Sequence, residues 1–219
     1  MVIVDILEYK KQVLEYAQRS YRQGLMAGTS GNLSVLSDDG KIVITPSGIG
    51  YMGMTADDVM VIDFDGTVIE GPHKPSSEWP MYAEIYRNMP EVRSVVHTHA
   101  PYATAFAVIN EPIPLILIEM VYFLKGDVRV APVAAQGTVQ VGVGVVEALK
   151  GRGACLMQNH GVVSVGKDLA EAFIRMEYVE DAAKVCHLAK SIGTPILIPE
   201  SILLEMSGRK KEDHHETGV

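Results

Sequence analysis

Short apolar runs broken by tight-turn residues constrain this chain more than any other feature. Asn32-Leu33-Ser34-Val35-Leu36 and Lys41-Ile42-Val43-Ile44 meet at Asp38-Asp39-Gly40, and Val59–Phe64 and Thr67–Ile69 meet at Asp65-Gly66. Such runs around an Asp-Gly turn predict β-hairpins. A hairpin joins antiparallel strands, whereas a parallel pair needs a crossover of a dozen residues or more. Ala154–Gln158 and Val162–Val165 predict a third hairpin turning near Gly161, Val92–Thr98 a buried strand and Val128–Val130 a short one.

Between these runs the apolar period lengthens. Ile6, Tyr9, Val13, Ala17, Tyr21 and Leu25 predict an amphipathic helix over 5–26 that Gly28 can end. Thr55 and Asp58 read as the cap of a short helix. Further helices are predicted over Ser77–Asn88, Tyr102–Ile109 and Val139–Leu149, the last despite Gly142 and Gly144. Asp168 caps a final long helix, with Glu171 at the capping-box position and Leu169, Phe173, Met176, Val179, Ala183 and Cys186 as its apolar stripe. Helices interleaved with mainly antiparallel hairpins predict one mixed domain of the α+β class rather than a doubly wound one.

The chain has 219 residues, enough for one domain that buries about 70% of its surface without staples. With 47% apolar and 21% charged residues, disorder of the bulk is excluded. Residues 1–207 read as that domain, and 208–219 as a polar, mobile tail. Nineteen basic against 27 acidic side chains leave a net charge of −8. That balance argues against nucleic acid as a partner, because such binding rests on neutralising phosphates. Met1-Val2-Ile3-Val4-Asp5 has no signal-peptide pattern and no apolar run approaches 18 residues, so the expectation is a cytoplasmic protein without a membrane partner. Cys155 and Cys186 form no C-x-x-C and read as buried thiols.

Chemistry concentrates in Val95-Val96-His97-Thr98-His99-Ala100. Residues i and i+2 of a strand share a face, so His97 and His99 present two imidazoles side by side, half of a divalent-metal site. An isolated H-x-H is also compatible with two packed histidines. His160, in Met157-Gln158-Asn159-His160-Gly161, is the candidate third ligand. Three protein ligands with an open position suit a catalytic metal, and whether His160 meets the other two is a tertiary question. His73 lies in a Gly-Pro-His-Lys loop, His187 beside the last helical stripe, and His214 and His215 in the polar tail; none is a first candidate.

Three loops rich in Ser, Thr and Gly complete the inventory: Gly28-Thr29-Ser30-Gly31-Asn32, Thr45-Pro46-Ser47-Gly48 and Lys74-Pro75-Ser76-Ser77-Glu78-Trp79. Ser76 or Ser77 can cap the helix that follows, and ordinary helix-start grammar explains both. The same hydroxyls and free N–H groups can also cradle an anion, and Glu78 near a metal becomes a candidate general base.

Taken in order, these five motifs resemble the class II aldolase family, which holds L-fuculose-1-phosphate aldolase and L-ribulose-5-phosphate 4-epimerase. The resemblance covers the chain from the first helix to about residue 195. It implies a three-layer α/β/α fold with a central, mainly antiparallel sheet flanked by helices, and that His97, His99 and His160 bind Zn²⁺, with Glu78 as a fourth ligand at rest. It places Thr29, Asn32, Ser47, Gly48, Ser76 and Ser77 around the substrate phosphate, and it implies a homotetramer with active sites between subunits. Epimerase members resemble Ser-Ser-Asp where this chain has Ser76-Ser77-Glu78, which favours the aldolase branch. The implied reaction cleaves a ketose 1-phosphate such as L-fuculose 1-phosphate to dihydroxyacetone phosphate and an aldehyde such as L-lactaldehyde. A metal would stabilise charge on oxygen, and Glu78 would move the proton at carbon. A 4-epimerase, a methylthioribulose-1-phosphate dehydratase and a catalytically inactive adducin-like interaction domain are the alternatives.

One position departs from that pattern. The fuculose-phosphate enzymes place a tyrosine from a neighbouring subunit as proton donor to the aldehyde oxygen. Counting from Ile113-Pro114 to Ala131-Pro132, that place falls on Ile118, with Glu119 and Tyr122 close by. Tyr122 takes the role if the segment shifts by one helical turn; a packed aromatic is the competing reading. Those enzymes also carry a tyrosine in their tail, and here none follows Gly208.

Overall fold

The computed structural model describes residues 5–212, with side chains through 206. Eight strands form one sheet: β1 (Asn32–Leu36), β2 (Ile42–Ile44), β3 (Met60–Ile62), β4 (Val68–Glu70), β5 (Ser94–Thr98), β6 (Arg129–Ala131), β7 (Ala154–Met157) and β8 (Gly161–Gly166). Their spatial order is β4-β3-β2-β1-β5-β8-β7-β6. Every neighbouring pair is antiparallel except β6 and β7. β5 is therefore central, bonded to β1 on one side and β8 on the other.

Helices cover both faces, as the three-layer reading requires. α1 (Ile6–Arg22), α3 (Pro101–Val108) and α5 (Leu169–Ile192) lie on one face, α2 (Trp79–Asn88) and α4 (Val139–Leu149) on the other, and α6 (Glu200–Glu212) follows. Strand side chains divide between two cores by the two-residue period of the pleat. Leu33, Val35, Val96, Leu156 and Val162 join the α1/α3/α5 core, while Ile42, Ile44, Val95, Met157 and Val163 join the α2/α4 core. The α5 stripe read from the sequence is buried in full, and truncating Phe173 within it would cost about 3–5 kcal/mol. Cys155 and Cys186 are free, buried thiols in opposite cores.

Several boundaries differ from expectation, each for a local reason. α1 stops at Arg22 rather than running to residue 26, because Gln23 caps it and Gly24 turns left-handed at φ 75°. Leu25 and Met26 are buried beyond its end, which prolonged the apparent stripe. α2 begins at Trp79 rather than Ser77, because Glu78 occupies the N-cap position and Pro80 follows in the first turn. β5 begins at Ser94 rather than Val92, whose N–H closes a turn onto the Met89 carbonyl. The last hairpin turns through Asn159, at φ 57°, rather than at Gly161, which already pairs with Met157. The π-helical turn over Met120–Leu124 and α6 carried no signal in the periodicity, and the short strand expected at Val128–Val130 forms as β6, one residue on and parallel to β7. α6 occupies the start of the expected tail; its remainder, with His214 and His215, lies outside the described residues.

Candidate metal centre and active site

The centre forms where β5, β8 and the start of α2 converge. His97 sits on the strand one period after Val95, so it faces the α2/α4 layer. His99 follows just past the strand end, its N–H bonded to the Leu25 carbonyl 3.1 Å away. The β7–β8 turn delivers His160, whose N–H bonds the Met157 carbonyl at 3.0 Å. The three rings lie 4.8–5.2 Å apart, centre to centre. One nitrogen from each lies within 4.8 Å of the others.

Gly161 permits this convergence. A Cβ there would stand 2.4 Å from the Thr98 carbonyl oxygen and 3.0 Å and 3.2 Å from the His99 and His97 rings. The glycine read from sequence as a turn residue is thus needed for the close approach of two strands.

Glu78 closes the group from α2. No side-chain cap bond holds it at the helix start; Ser76 Oγ instead accepts the Glu78 N–H at 3.3 Å. The carboxylate turns inward and is only 4% exposed. Oε2 lies 3.2 Å from His97 Nε2 and Oε1 3.3 Å from His160 Nε2. Asn32 Nδ2 donates to Oε2 at 2.7 Å. Burial alone would raise the carboxyl pKa, but His97, Asn32 and His160 together hold it below the usual carboxylate range. His97 responds in the opposite sense: burial pulls its pKa down and Glu78 outweighs that pull. Burial, then His97 and His160, lower His99 to about 4, and His160 is lowered by burial and His97.

These donors fit a divalent cation. Val162 O lies 3.0 Å from His97 Nδ1, and an Nδ1–H donated there leaves the Nε2 lone pair facing Glu78. His97 Nε2 and Glu78 Oε1 are both buried without a hydrogen-bond partner. With that tautomer His97 Nε2 faces Glu78 Oε2 at 3.2 Å as a second acceptor, and Oε1 faces His160 Nε2, an arrangement that is unfavourable unless a positive charge lies between the groups. Three imidazoles and a carboxylate are the ligand types that hold zinc and its first-row neighbours.

The serine and glycine loops surround this centre unequally. Pro46 and Pro75 form an antiparallel bridge, Ser47 N–H donates to Lys74 O at 2.9 Å, and Ser76 N–H donates to Thr45 O at 3.1 Å. Ser47, Gly48, Ser76 and Ser77 are thereby brought together across 28 or more residues of chain, with Ser47, Gly48 and Ser77 exposed. Gly31 abuts the His97 carbonyl, so the Gly28–Asn32 loop flanks the same strand. Thr29 is exposed there, but Asn32 is turned inward to Glu78. Tyr122 lines a separate groove with Leu115, Lys125, Arg152 and Leu203, away from the histidines within one chain. His73 pairs with Asp58 at 2.7 Å, and the His187 ring lies 5.8 Å from that of Tyr102, tilted by 54°.

Two tyrosines escaped the sequence reading. Tyr51 hydroxyl donates to Gly31 O at 2.6 Å, and Tyr82 hydroxyl donates to Asn32 O at 2.6 Å. Tyr82 lies four residues after Glu78, on the same helix face, and that spacing was the available signal.

The chain is similar to known proteins over most of its length. Residues 11–187 match the family model described as Class II Aldolase and Adducin N-terminal domain. A 5-deoxy-D-ribulose 1-phosphate aldolase of Bacillus thuringiensis serovar kurstaki is 35% identical over 192 residues, covering 87% of this chain and 90% of that protein. A 5-methylthioribulose-1-phosphate/5-deoxyribulose-1-phosphate aldolase of Rhodospirillum rubrum is 35% identical, over 85% of this chain and 84% of its own. A solved L-fuculose 1-phosphate aldolase superposes with a TM-score of 0.88 at 35% identity, covering 95% of this chain and 98% of that one.

Proposed function

The chain belongs to the Class II Aldolase and Adducin N-terminal domain family, and from that premise we propose that it is a metal-dependent aldolase cleaving a ketose 1-phosphate to dihydroxyacetone phosphate and an aldehyde. The observation that carries the reading is the buried cluster of His97, His99, His160 and Glu78, with Glu78 Oε1 and His97 Nε2 left without hydrogen-bond partners. His97, His99 and His160 hold Zn²⁺, with Glu78 beside it in the resting state. The metal, when bound, polarises the ketose carbonyl.

The remaining steps belong to this chain's own residues. The Glu78 carboxylate takes a proton from the carbon next to the carbonyl in the synthetic direction and returns it in cleavage. Ser47, Gly48, Ser76 and Ser77, with Thr29 opposite, hold the phosphate through neutral donors. Asn32 serves that end through Glu78 rather than by facing solvent. Tyr122 exchanges the proton of the aldehyde oxygen from a neighbouring subunit, in keeping with its distance from the centre within one chain. The assembly is a homotetramer with active sites between subunits, and the exposed valines 133, 139 and 143 supply apolar surface for such contacts. A phosphorylated sugar substrate places the enzyme in the cytoplasm.

The substrate class is a ketose 1-phosphate whose terminal carbon lacks a hydroxyl. L-Fuculose, 5-deoxyribulose and 5-methylthioribulose phosphates share that property. A cavity of about 220 Å³ beside His160 has one wall of Pro132, Val133, Val141, Val145 and Met157, which can receive an apolar end, and a polar part formed by Gln136, Gln158 and Asn159. Among the described residues no helix is long and apolar enough to cross a membrane.

The test is a coupled assay for dihydroxyacetone phosphate from these three sugars, with and without chelator. Chelator-sensitive release from at least one establishes the aldolase, and the best substrate names the aldehyde. No release from protein shown to contain zinc would turn the assignment to an epimerase or dehydratase.

A further inference from the structure

Behind the metal centre, buried side chains continue inward in a series that the proposed chemistry leaves unused. Tyr82 is fully buried on α2, one helical turn after Glu78. Its hydroxyl contacts Asn32 twice, at the main-chain oxygen and at Oδ1. Asn32 Nδ2 then meets Glu78 Oε2. Glu78 Oε1 is left alone, 3.3 Å from His160 Nε2.

The direction of this series follows from donor counting. An amide can be placed either way round, and its neighbours decide. An ionised carboxylate only accepts, so the end of Asn32 facing Glu78 is the NH₂. The oxygen end therefore faces Tyr82, and the phenol must donate, its one proton shared between Asn32 Oδ1 and the Asn32 main-chain oxygen. Burial, then the nearby Glu78 charge, keep the Tyr82 pKa well above its ordinary value, so the hydroxyl keeps its proton. A reversed amide would set oxygen against carboxylate among buried side chains, which is the costly arrangement for buried polar groups.

We propose that Tyr82 is a positioning residue: by orienting the Asn32 amide it ties Glu78 through Oε2 and leaves Oε1 as the oxygen turned to the imidazoles and free to exchange the substrate proton. This inference rests on the aldolase reading, and it assigns different duties to the two oxygens of one carboxylate.

The test uses metal-stripped full-length protein, Zn²⁺ affinity by chelator competition, and kcat and KM on the best substrate. Tyr82→Phe removes only the hydroxyl. It is expected to weaken Zn²⁺ binding about 10-fold, in the range found for outer partners of metal ligands. It should lower kcat by roughly the same factor and leave KM within about twofold. Asn32→Asp, which places oxygen where the NH₂ stood, should lose at least as much. It keeps the test decisive if Tyr82→Phe does not fold. In an Asn32→Ala background Tyr82→Phe should add nothing further, because coupled residues are non-additive. Wild-type Zn²⁺ affinity and kcat in Tyr82→Phe or Asn32→Asp, or equal losses from Tyr82→Phe in both backgrounds, would overturn the proposal. Wild-type protein that binds no Zn²⁺ would instead overturn the aldolase reading itself.

Discussion

The buried carboxylate end of the centre and the exposed loop end are built on opposite plans. At the first, Glu78, Asn32, Tyr82 and His97 hold one another by side chains that are almost entirely buried. At the second, Ser47, Gly48 and Ser77 are exposed, and backbone bonds alone set their spacing. On the proposed function, the difference teaches where each part would meet its ligand. Groups that would move protons and bind metal are oriented before substrate arrives, which avoids reorganisation during reaction. Groups that would hold an anion are exposed and would give up hydration when it binds.

Substitutions should separate the two ends, with the largest effects at the buried one. Glu78→Gln is expected to keep metal and fold while lowering kcat about 10²–10⁴-fold, the usual worth of a positioned acid–base group. Retained activity with full zinc content would remove Glu78 as the base. His97→Ala should weaken zinc affinity by about 100-fold or more, since even outer partners of ligands are worth about 10–100-fold; unchanged zinc content after dialysis would take His97 out of the ligand set. Gly161→Ala should cost about 1–3 kcal/mol of stability through overpacking and loosen the metal as well. Thermal melts with and without zinc would read both, and a wild-type melt would show that the two strands can part freely.

The loop end should respond more gently and in a different constant. Ser76→Ala and Ser77→Ala are each expected to raise KM for the phosphorylated sugar roughly 10-fold, as loss of a hydrogen bond to a charged group costs about 1.5–3 kcal/mol. If kcat fell while KM stayed, the loops would belong to the chemistry and the contrast between the ends would fail. The smallest effect is expected at His73. Asp58 is held down to about 2 by the His73 and Thr55 hydrogen bonds. A carboxyl depressed in the fold contributes stability above its unfolded pKa and loses it as pH falls through the folded one. His73→Ala should therefore lower the melting temperature slightly above about pH 4 and not near pH 2, with at most ~1 kcal/mol involved at a pair that is only partly buried. A difference that persisted at pH 2 would point to packing instead of charge.

Much of this was legible in the residues. The Asp-Asp-Gly and Asp-Gly turns announced antiparallel hairpins, and the α5 stripe is buried as its spacing requires. The two-residue period set His97 and His99 together, and the ordered motifs marked Glu78 and His160. Periodicity was misled where burial outlasts an element, as at Leu25 and Met26 beyond α1. It was silent on the π-helical turn, whose short irregular segment carries no repeat, and it marked the β6 strand but not its parallel pairing.

By itself the sequence determined the alternation of helix and hairpin and the imidazole pair on β5, because both follow from contacts a few residues apart. Only the tertiary structure decided that His160 meets that pair, that Gly161 is an approach site, and that Asn32 turns from the expected phosphate cradle to Glu78. Those outcomes depend on which strand lies beside which and in what register. Asn32 opposite His97, and His97 opposite Val163, are pairings across tens of residues. The free energy that selects them comes from burying both faces of the sheet at once, which no local pattern records.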